Sequence, residues 1–263
     1  MAIEFPRRPG LVVYLTIGDP DLATSKKIAL AAIDAGADVL ELGVPFSDPL
    51  ADGPVIQRAS ERAVRNGTRL TDVIALAKIL RAERPSIGLV IFSYLNPILR
   101  MGLEEFAKGA ADAGVDAVLV TDLIVEESEE YRIILRQHRL QPIFLVAPTS
   151  PDERLERIAS VSEGFIYAIS RVGITGTQHQ LADDARGLVA RLRRYTNLPV
   201  ALGFGISNAS HVTAVAEFAD AAVVGSAIVS LIEQSNAKDA PTAVGAFIVS
   251  LRASSTVPES ILS

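Results

Sequence analysis

The chain has 263 residues, 49% of them apolar and 21% charged, with a net charge of −6 and no cysteine. This balance fits a globular chain with a large core and leaves no basic excess to neutralise nucleic-acid phosphates. It also removes disulfides, thiolate metal sites, cysteine nucleophiles and iron–sulfur chemistry together.

Near the start, Arg7-Arg8 precedes the apolar run Leu11–Ile17, which stops at Gly18-Asp19-Pro20. The run lacks a small-residue cleavage site and is too short to span a membrane, so it reads as a buried strand and the protein as cytoplasmic. Further short apolar runs follow at Val39–Gly43, Gly88–Phe92, Ala117–Thr121, Pro142–Ala147, Phe165–Ser170, Pro199–Phe204 and Ala221–Gly225. With Leu11–Thr16 they make eight candidate strands, continuous in apolar character as strands covered on both faces are. Amphipathic stretches such as Ser25–Ala35, Leu70–Arg84 and Leu103–Ala113 lie between them and read as helices. Strand–helix alternation repeated eight times predicts a parallel sheet closed into a (β/α)8 TIM barrel, a single domain over residues 1–263.

An internal echo supports repetition. Asp34-Ala-Gly-Ala-Asp38 recurs as Asp112-Ala-Gly-Val-Asp116, each time between a helix and a strand. Gly36 and Gly114 sit where a helix end calls for a left-handed residue. Helix-stop chemistry alone also accounts for such a pair.

The echo breaks at one informative position. Three residues after Asp116 stands Leu119, whereas three after Asp38 stands Glu41. In a strand Leu40, Leu42 and Val44 share one face, while Val39, Glu41 and Gly43 share the other. The all-apolar face belongs against the helices, which turns Glu41 into the barrel. A buried, unpaired carboxylate is costly and takes up a proton, and such a carboxyl beside a cavity suits general acid/base work. No basic residue between Gly36 and Gln57 offers an ion pair instead. The segment that follows, Pro45-Phe-Ser-Asp-Pro-Leu-Ala-Asp-Gly-Pro54, is a turn-rich βα loop of the kind that builds the active face of a barrel. It carries Asp48 and Asp52. Each alone reads as a turn or capping residue, and spacing does not choose between them.

The last strands carry a second signal. Gly203-Phe-Gly205 follows the seventh, and Gly225-Ser226 opens a helix after the eighth. Glycines there let backbone N–H groups approach an anion, and a helix N-terminus adds a favourable dipole. Phosphate binding after strands seven and eight recurs in barrels. Arg171-Val-Gly-Ile-Thr-Gly176, after the sixth strand, reads as a glycine-hinged lid. No lysine stands at a strand end, which argues against Schiff-base chemistry. His138, His179 and His211 lack metal-binding spacing, so no metal is expected.

With these residues in hand, the chain resembles the tryptophan synthase α subunit. The resemblance runs from about Leu11 to Leu231 and is most specific in ELGVPFSDPLADGP at 41–54. YLTIGDPD at 14–21, SRVGITGT at 170–177, LGFGIS at 202–207 and VVGSAIV at 223–229 agree in order and spacing. The resemblance implies cleavage of indole-3-glycerol phosphate to indole and glyceraldehyde 3-phosphate, with Glu41 moving the protons. It assigns the indole N–H to Asp52 and places Tyr167 in the catalytic set. It implies that Tyr14, Ile56 and Phe204 contain the indole, and that Thr175, Gly176, Gly203, Gly205, Gly225 and Ser226 hold the phosphate side. It also implies an αββα heterotetramer with a β subunit that carries pyridoxal phosphate, this chain holding no cofactor. The 44–54 loop, the lid and Asn96-Pro97 are then expected near that partner.

Two features depart from the pattern. Only about ten residues precede the first strand, so the helix that usually covers the barrel floor is shortened or absent. The fourth strand runs on into Thr121-Asp-Leu-Ile-Val125, where many relatives carry prolines, although Asp122 matches. Three other readings compete. A related barrel isomerase or synthase of the same pathway would need the missing cysteine or strand-end lysine. A stand-alone lyase releasing free indole would share the same catalytic set. An idle activator of the β subunit would have no use for Glu41, Asp52 and Tyr167 together.

Overall fold

The computed structural model describes residues 3–169, 178–203 and 205–253. Its strands are β1 (Gly10–Thr16), β2 (Val39–Gly43), β3 (Gly88–Ser93), β4 (Ala117–Val120), β5 (Gln141–Ile143), β6 (Leu145–Val146), β7 (Ile166–Ile169), β8 (Val200–Gly203) and β9 (Ala221–Val224). They form one sheet in the order β5-β4-β3-β2-β1-β9-β8-β7-β6, every neighbouring pair parallel. The two edges of that sheet, β5 and β6, are separated in the chain by Phe144 alone. They are one strand interrupted, and the sheet is a barrel of eight. The strand expected at 142–147 lies at 141–146 and is broken at Phe144, whose carbonyl still accepts the amide of Tyr167 at 3.1 Å.

Helices α1 (Leu22–Asp34), α2 (Pro54–Arg65), α3 (Leu70–Glu83), α4 (Leu95–Met101), α5 (Leu103–Asp112), α6 (Glu129–Gln137), α7 (Asp152–Val161), α8 (Gln178–Leu192), α9 (Ala209–Ala216), α10 (Ser226–Gln234) and α11 (Ala240–Arg252) connect the strands. Local chemistry sets several of their starts. Asp21 caps α1 by accepting the Thr24 amide at 2.8 Å, and Pro54 occupies the first position of α2, where no N–H is needed. Among the described residues, β2, β3 and β9 are each followed by two α-helices rather than one. No helix among the described residues is long and apolar enough to cross a membrane.

Strand parity divides the core in two. Leu11, Val13, Leu40, Leu42, Leu89 and Ile91 pack outward against the helices. Val12, Val39, Val90, Leu119, Ile143 and Phe165 fill the barrel interior as a separate cluster. Val39 and Glu41 therefore face inward, as the alternation in β2 requires.

Among the described residues the floor is filled by an irregular segment. Residues 3–9 contain no helix; instead Ile3 is buried in the interior cluster with Phe5 packed beside it. The Phe5 ring meets Phe165 edge to face at 5.8 Å. A side chain at Gly10 would run into Phe5, so the glycine leaves room for this plug.

The echoed Asp-Ala-Gly motifs also have a structural task on this floor. Asp38 accepts the Leu11 amide at 2.8 Å and Asp116 accepts the Leu89 amide at 2.9 Å, each tying its strand to the one before. Arg252 and Arg81 hold these two carboxylates. Each also donates to the carbonyl of the helix-stop glycine, Gly36 and Gly114 respectively. Both glycines have positive φ, +111° and +79°. Asp220 repeats the arrangement with the Val200 amide at 2.8 Å and Arg193.

Candidate active site

The C-terminal ends of β1, β2, β3 and β7, with the loop after β2, bring five side chains of acid/base character toward one mouth: Tyr14, Glu41, Asp52, Tyr94 and Tyr167. Glu41 on β2 is fully buried, and neither carboxylate oxygen finds a hydrogen-bond partner among the described residues. Burial pushes its carboxyl up to about 8, so the group is protonated at neutral pH. Its register partner on β1 is Tyr14. That ring packs edge to face on Phe92 at 5.1 Å, and its hydroxyl reaches over Gly43, where any side chain would collide with it. Burial, reinforced by the Asp52 charge, holds the Tyr14 phenol well above its ordinary range.

Tyr167 projects from β7 and lies over Gly203 at the end of β8. An added Cβ at Gly203 would stand 3.0 Å from both the Tyr167 hydroxyl and its ring. Burial raises the Tyr167 phenol too, with Glu41 the next contributor, so it stays a neutral hydroxyl.

The loop after β2 separates its two aspartates. Asp48 is exposed and turned to its neighbour Ser47. Asp52 is half-buried, and its Oδ2 accepts the Tyr94 hydroxyl at 3.0 Å. The same hydroxyl accepts the Ala51 amide at 2.9 Å, so one phenol fixes both the loop backbone and the carboxylate. Burial raises the Asp52 carboxyl to about 6, and the Tyr94 bond opposes that rise. The base of the loop is fastened separately: Phe46 donates its amide to Ser60 Oγ at 2.8 Å, and Ser60 donates back to the Phe46 carbonyl at 2.9 Å.

On the far side, α10 begins at Ser226 behind Gly225, with no side chain capping its first turn. Its leading N–H groups are thus available to an anion, favoured further by the helix dipole. Gly205 has φ +55°, a conformation that suits glycine, and nothing would crowd a Cβ there. Between the two ends Ile56 packs with Tyr14, Ala59 and Val229. Thr175, Gly176 and Phe204, with the expected lid, lie outside the described residues. Among those described, no three His, Asp or Glu side chains gather as a metal site.

Comparison with known proteins places this arrangement. A model of the family "Tryptophan synthase alpha chain" matches residues 2–255. The chain is 47% identical to the tryptophan synthase alpha chain of Solibacter usitatus, over 89% of this chain and 86% of that one. The chain belongs to the tryptophan synthase alpha chain family.

Solved structures agree with the sequence match. The tryptophan synthase alpha chain of Legionella pneumophila superposes with a TM-score of 0.87 at 34% identity, covering 97% of this chain and 94% of that one. A chain of the tryptophan synthase complex of Pyrococcus furiosus superposes at 0.84 with 35% identity, over 93% and 98%. This chain is therefore an enzyme of tryptophan synthesis, and its function is the alpha reaction of that pathway.

Tyr94 is the site residue that sequence reasoning missed. It follows β3 directly, at the N-cap of α4, and the Asp52 it holds is 42 residues away in the chain. The sequence pattern does offer one hint: Asp122 stands next to the fourth strand, and it holds the Leu95 amide at 2.7 Å, setting the peptide that follows Tyr94. The loop after β4 therefore helps to set the position of Tyr94 through Asp122. In a Tyr94→Phe variant the carboxylate form of Asp52 loses its donor, so its pKa should rise. The acid limb of the alpha chain's pH–rate profile is expected to move upward from about pH 6. A limb that stays in place while the loop remains folded would remove Tyr94 from this role.

Proposed function

We propose that the chain cleaves indole-3-glycerol phosphate to indole and glyceraldehyde 3-phosphate as a lyase, by a retro-aldol reaction run on carboxylates alone. Protonated Glu41 gives its proton to indole C3, and Asp52 holds the indole N–H as the ring becomes an indolenine. The Glu41 carboxylate then removes the proton of the side-chain hydroxyl. The bond from C3 to the hydroxyl-bearing carbon breaks, its electron pair returns to the indole ring, and the oxygen-bearing carbon leaves as the aldehyde. Protons balance, because the one that Glu41 gives to C3 is replaced by the one it takes from oxygen.

The observation that carries this reading is Glu41 itself: an inward carboxyl with no partner among the described residues, kept protonated near neutrality by burial. Tyr14, Tyr167 and Ile56 supply a wall for the flat ring, with Phe204 assigned there by family resemblance. The uncapped start of α10 with Gly225 and Ser226, together with Gly203 and Gly205, suits the phosphate. Thr175 and Gly176 take their phosphate-side role from resemblance alone.

The same reading includes a β subunit, an αββα heterotetramer and a cytoplasmic setting, with pyridoxal phosphate held by the partner and no cofactor in this chain. Supporting it, three strand-to-helix connections at the active end of the barrel, one of them the short helix α4, expose large apolar side chains. Leu50 in the Asp52 loop is 91% exposed, Leu99 on α4 57%, and Ile124 after β4 45%. Asn96 and Pro97 share α4 with Leu99. The deciding experiment is indole release from indole-3-glycerol phosphate with and without a β subunit. We expect release in both cases and a large stimulation by the partner. Full activity without it points to a stand-alone lyase, and no indole in either case overturns the reaction assigned.

A further inference from the structure

Helices α2 and α10 are additions to the simple strand–helix alternation, and they flank the two ends of the site. Asp52 stands two residues before α2, while the first turn of α10 faces the phosphate side. The two helices pack on each other and on β1. Tyr14, Ala59 and Val229 form a buried wedge between them.

One guanidinium bolts this frame. Arg62, on α2, takes Asp19 in a two-pronged pair, Nε to Oδ1 at 2.8 Å and Nη2 to Oδ2 at 2.9 Å. Its remaining nitrogen, Nη1, reaches Glu233 of α10 at 2.7 Å. Arg58, one turn earlier on α2, grips both oxygens of Glu233 at 2.8 and 2.7 Å. Asp19 lies just after β1, with only 3% of its side chain exposed. Three elements therefore meet at one planar fork, whose geometry fixes direction as well as distance.

We propose that Arg62 is a positioning residue that sets the separation between the indole end and the phosphate end of the cleft. The inference rests on the reading of the substrate given above. A substrate carrying both groups gains from being bound at two points only if those points are held at the right spacing. A fragment that reaches one end gains nothing from the spacing. An ion pair that served stability alone would not distinguish the two cases.

The test uses the full chain and compares indole, glycerol 3-phosphate and the joined substrate, indole-3-glycerol phosphate. Dissociation constants of the two fragments are measured on the chain, and kcat and KM for the joined substrate in the presence of a β subunit. In Arg62→Met we expect kcat/KM to fall by on the order of tenfold or more. The fragment constants should stay within about twofold of wild type, since neither spans the cleft. Arg62→Lys, which cannot make the two-pronged pair, should recover only part of the loss. Because Arg62→Met strands the buried Asp19 carboxylate, the double variant Asp19→Asn, Arg62→Met keeps the test available should the single variant not fold. If fragments and joined substrate weaken together, or nothing changes, the positioning role is overturned. Wild-type chain that binds neither fragment would instead bring down the substrate reading beneath it.

Discussion

Glu41→Gln is expected to lower indole release by about 10²–10⁴-fold and, at the same time, to make the folded chain more stable at neutral and alkaline pH. The two effects share one cause. Burial raises the Glu41 carboxyl from 4.5 to about 8 in the folded chain, while in the unfolded chain it keeps its ordinary value. Between those pH values the folded state holds a proton that the unfolded state has lost. Wild-type stability should therefore fall with rising pH, by about 1.4 kcal/mol per unit for this group, and level off above pH 8. Glutamine has no such proton to lose. Urea unfolding of the two proteins at pH 5, 6.5 and 8 should show a gap that opens in favour of the variant. Parallel profiles would mean that Glu41 is not a buried acid, and substantial residual turnover would remove it from the reaction. In the wild type, turnover should decline above about pH 8, where Glu41 no longer starts the cycle with a proton to give.

Asp52→Asn should cost ten- to hundredfold in kcat/KM, less than the loss at Glu41. Asparagine still offers an oxygen to the indole N–H but without charge, and a hydrogen bond to a charged partner contributes about 1.5–3 kcal/mol. The variant should also lose the acid limb near pH 6, since the group that titrates there is gone. Wild-type kcat/KM in this variant would show that the indole nitrogen has a different partner. A retained acid limb would assign that titration to another group.

Much of this site was legible in the sequence because strand geometry is simple. The parity of β2 was enough to turn Glu41 inward, and its lack of a local cation was enough to leave it unpaired. Eight apolar runs were enough for the barrel. What could not be read depended on contacts between distant loops. Choosing Asp52 over Asp48 required family resemblance, and in the folded chain the difference lies in the Tyr94 hydroxyl, 42 residues from Asp52. The plug made by Ile3 and Phe5 carries no periodic signature, because seven residues without a helix or strand have no pattern to display. Phe144 interrupts its strand two residues after Pro142, and that proline alone does not say where the break falls. Arg62 reads as an ordinary charge on an amphipathic helix until Asp19 and Glu233 are brought to either side of it.

The carboxylate clamps on the barrel floor also order events in time. The Asp116 clamp joins residues 27 and 35 positions apart, and the Asp220 clamp residues 20 and 27 apart. Both can close locally, as soon as a short length of chain is available. The Asp38 clamp is different: its arginine lies 214 residues downstream, at the end of α11. Short-range contacts form at little loop-closure cost, whereas long-range ones wait for the intervening chain to be organised. During synthesis β1 and β2 can meet early, but the Asp38 carboxylate stays without its guanidinium until α11 has left the ribosome. Arg252 thus makes the arrival of α11 a condition for sealing the β1–β2 side of the barrel floor.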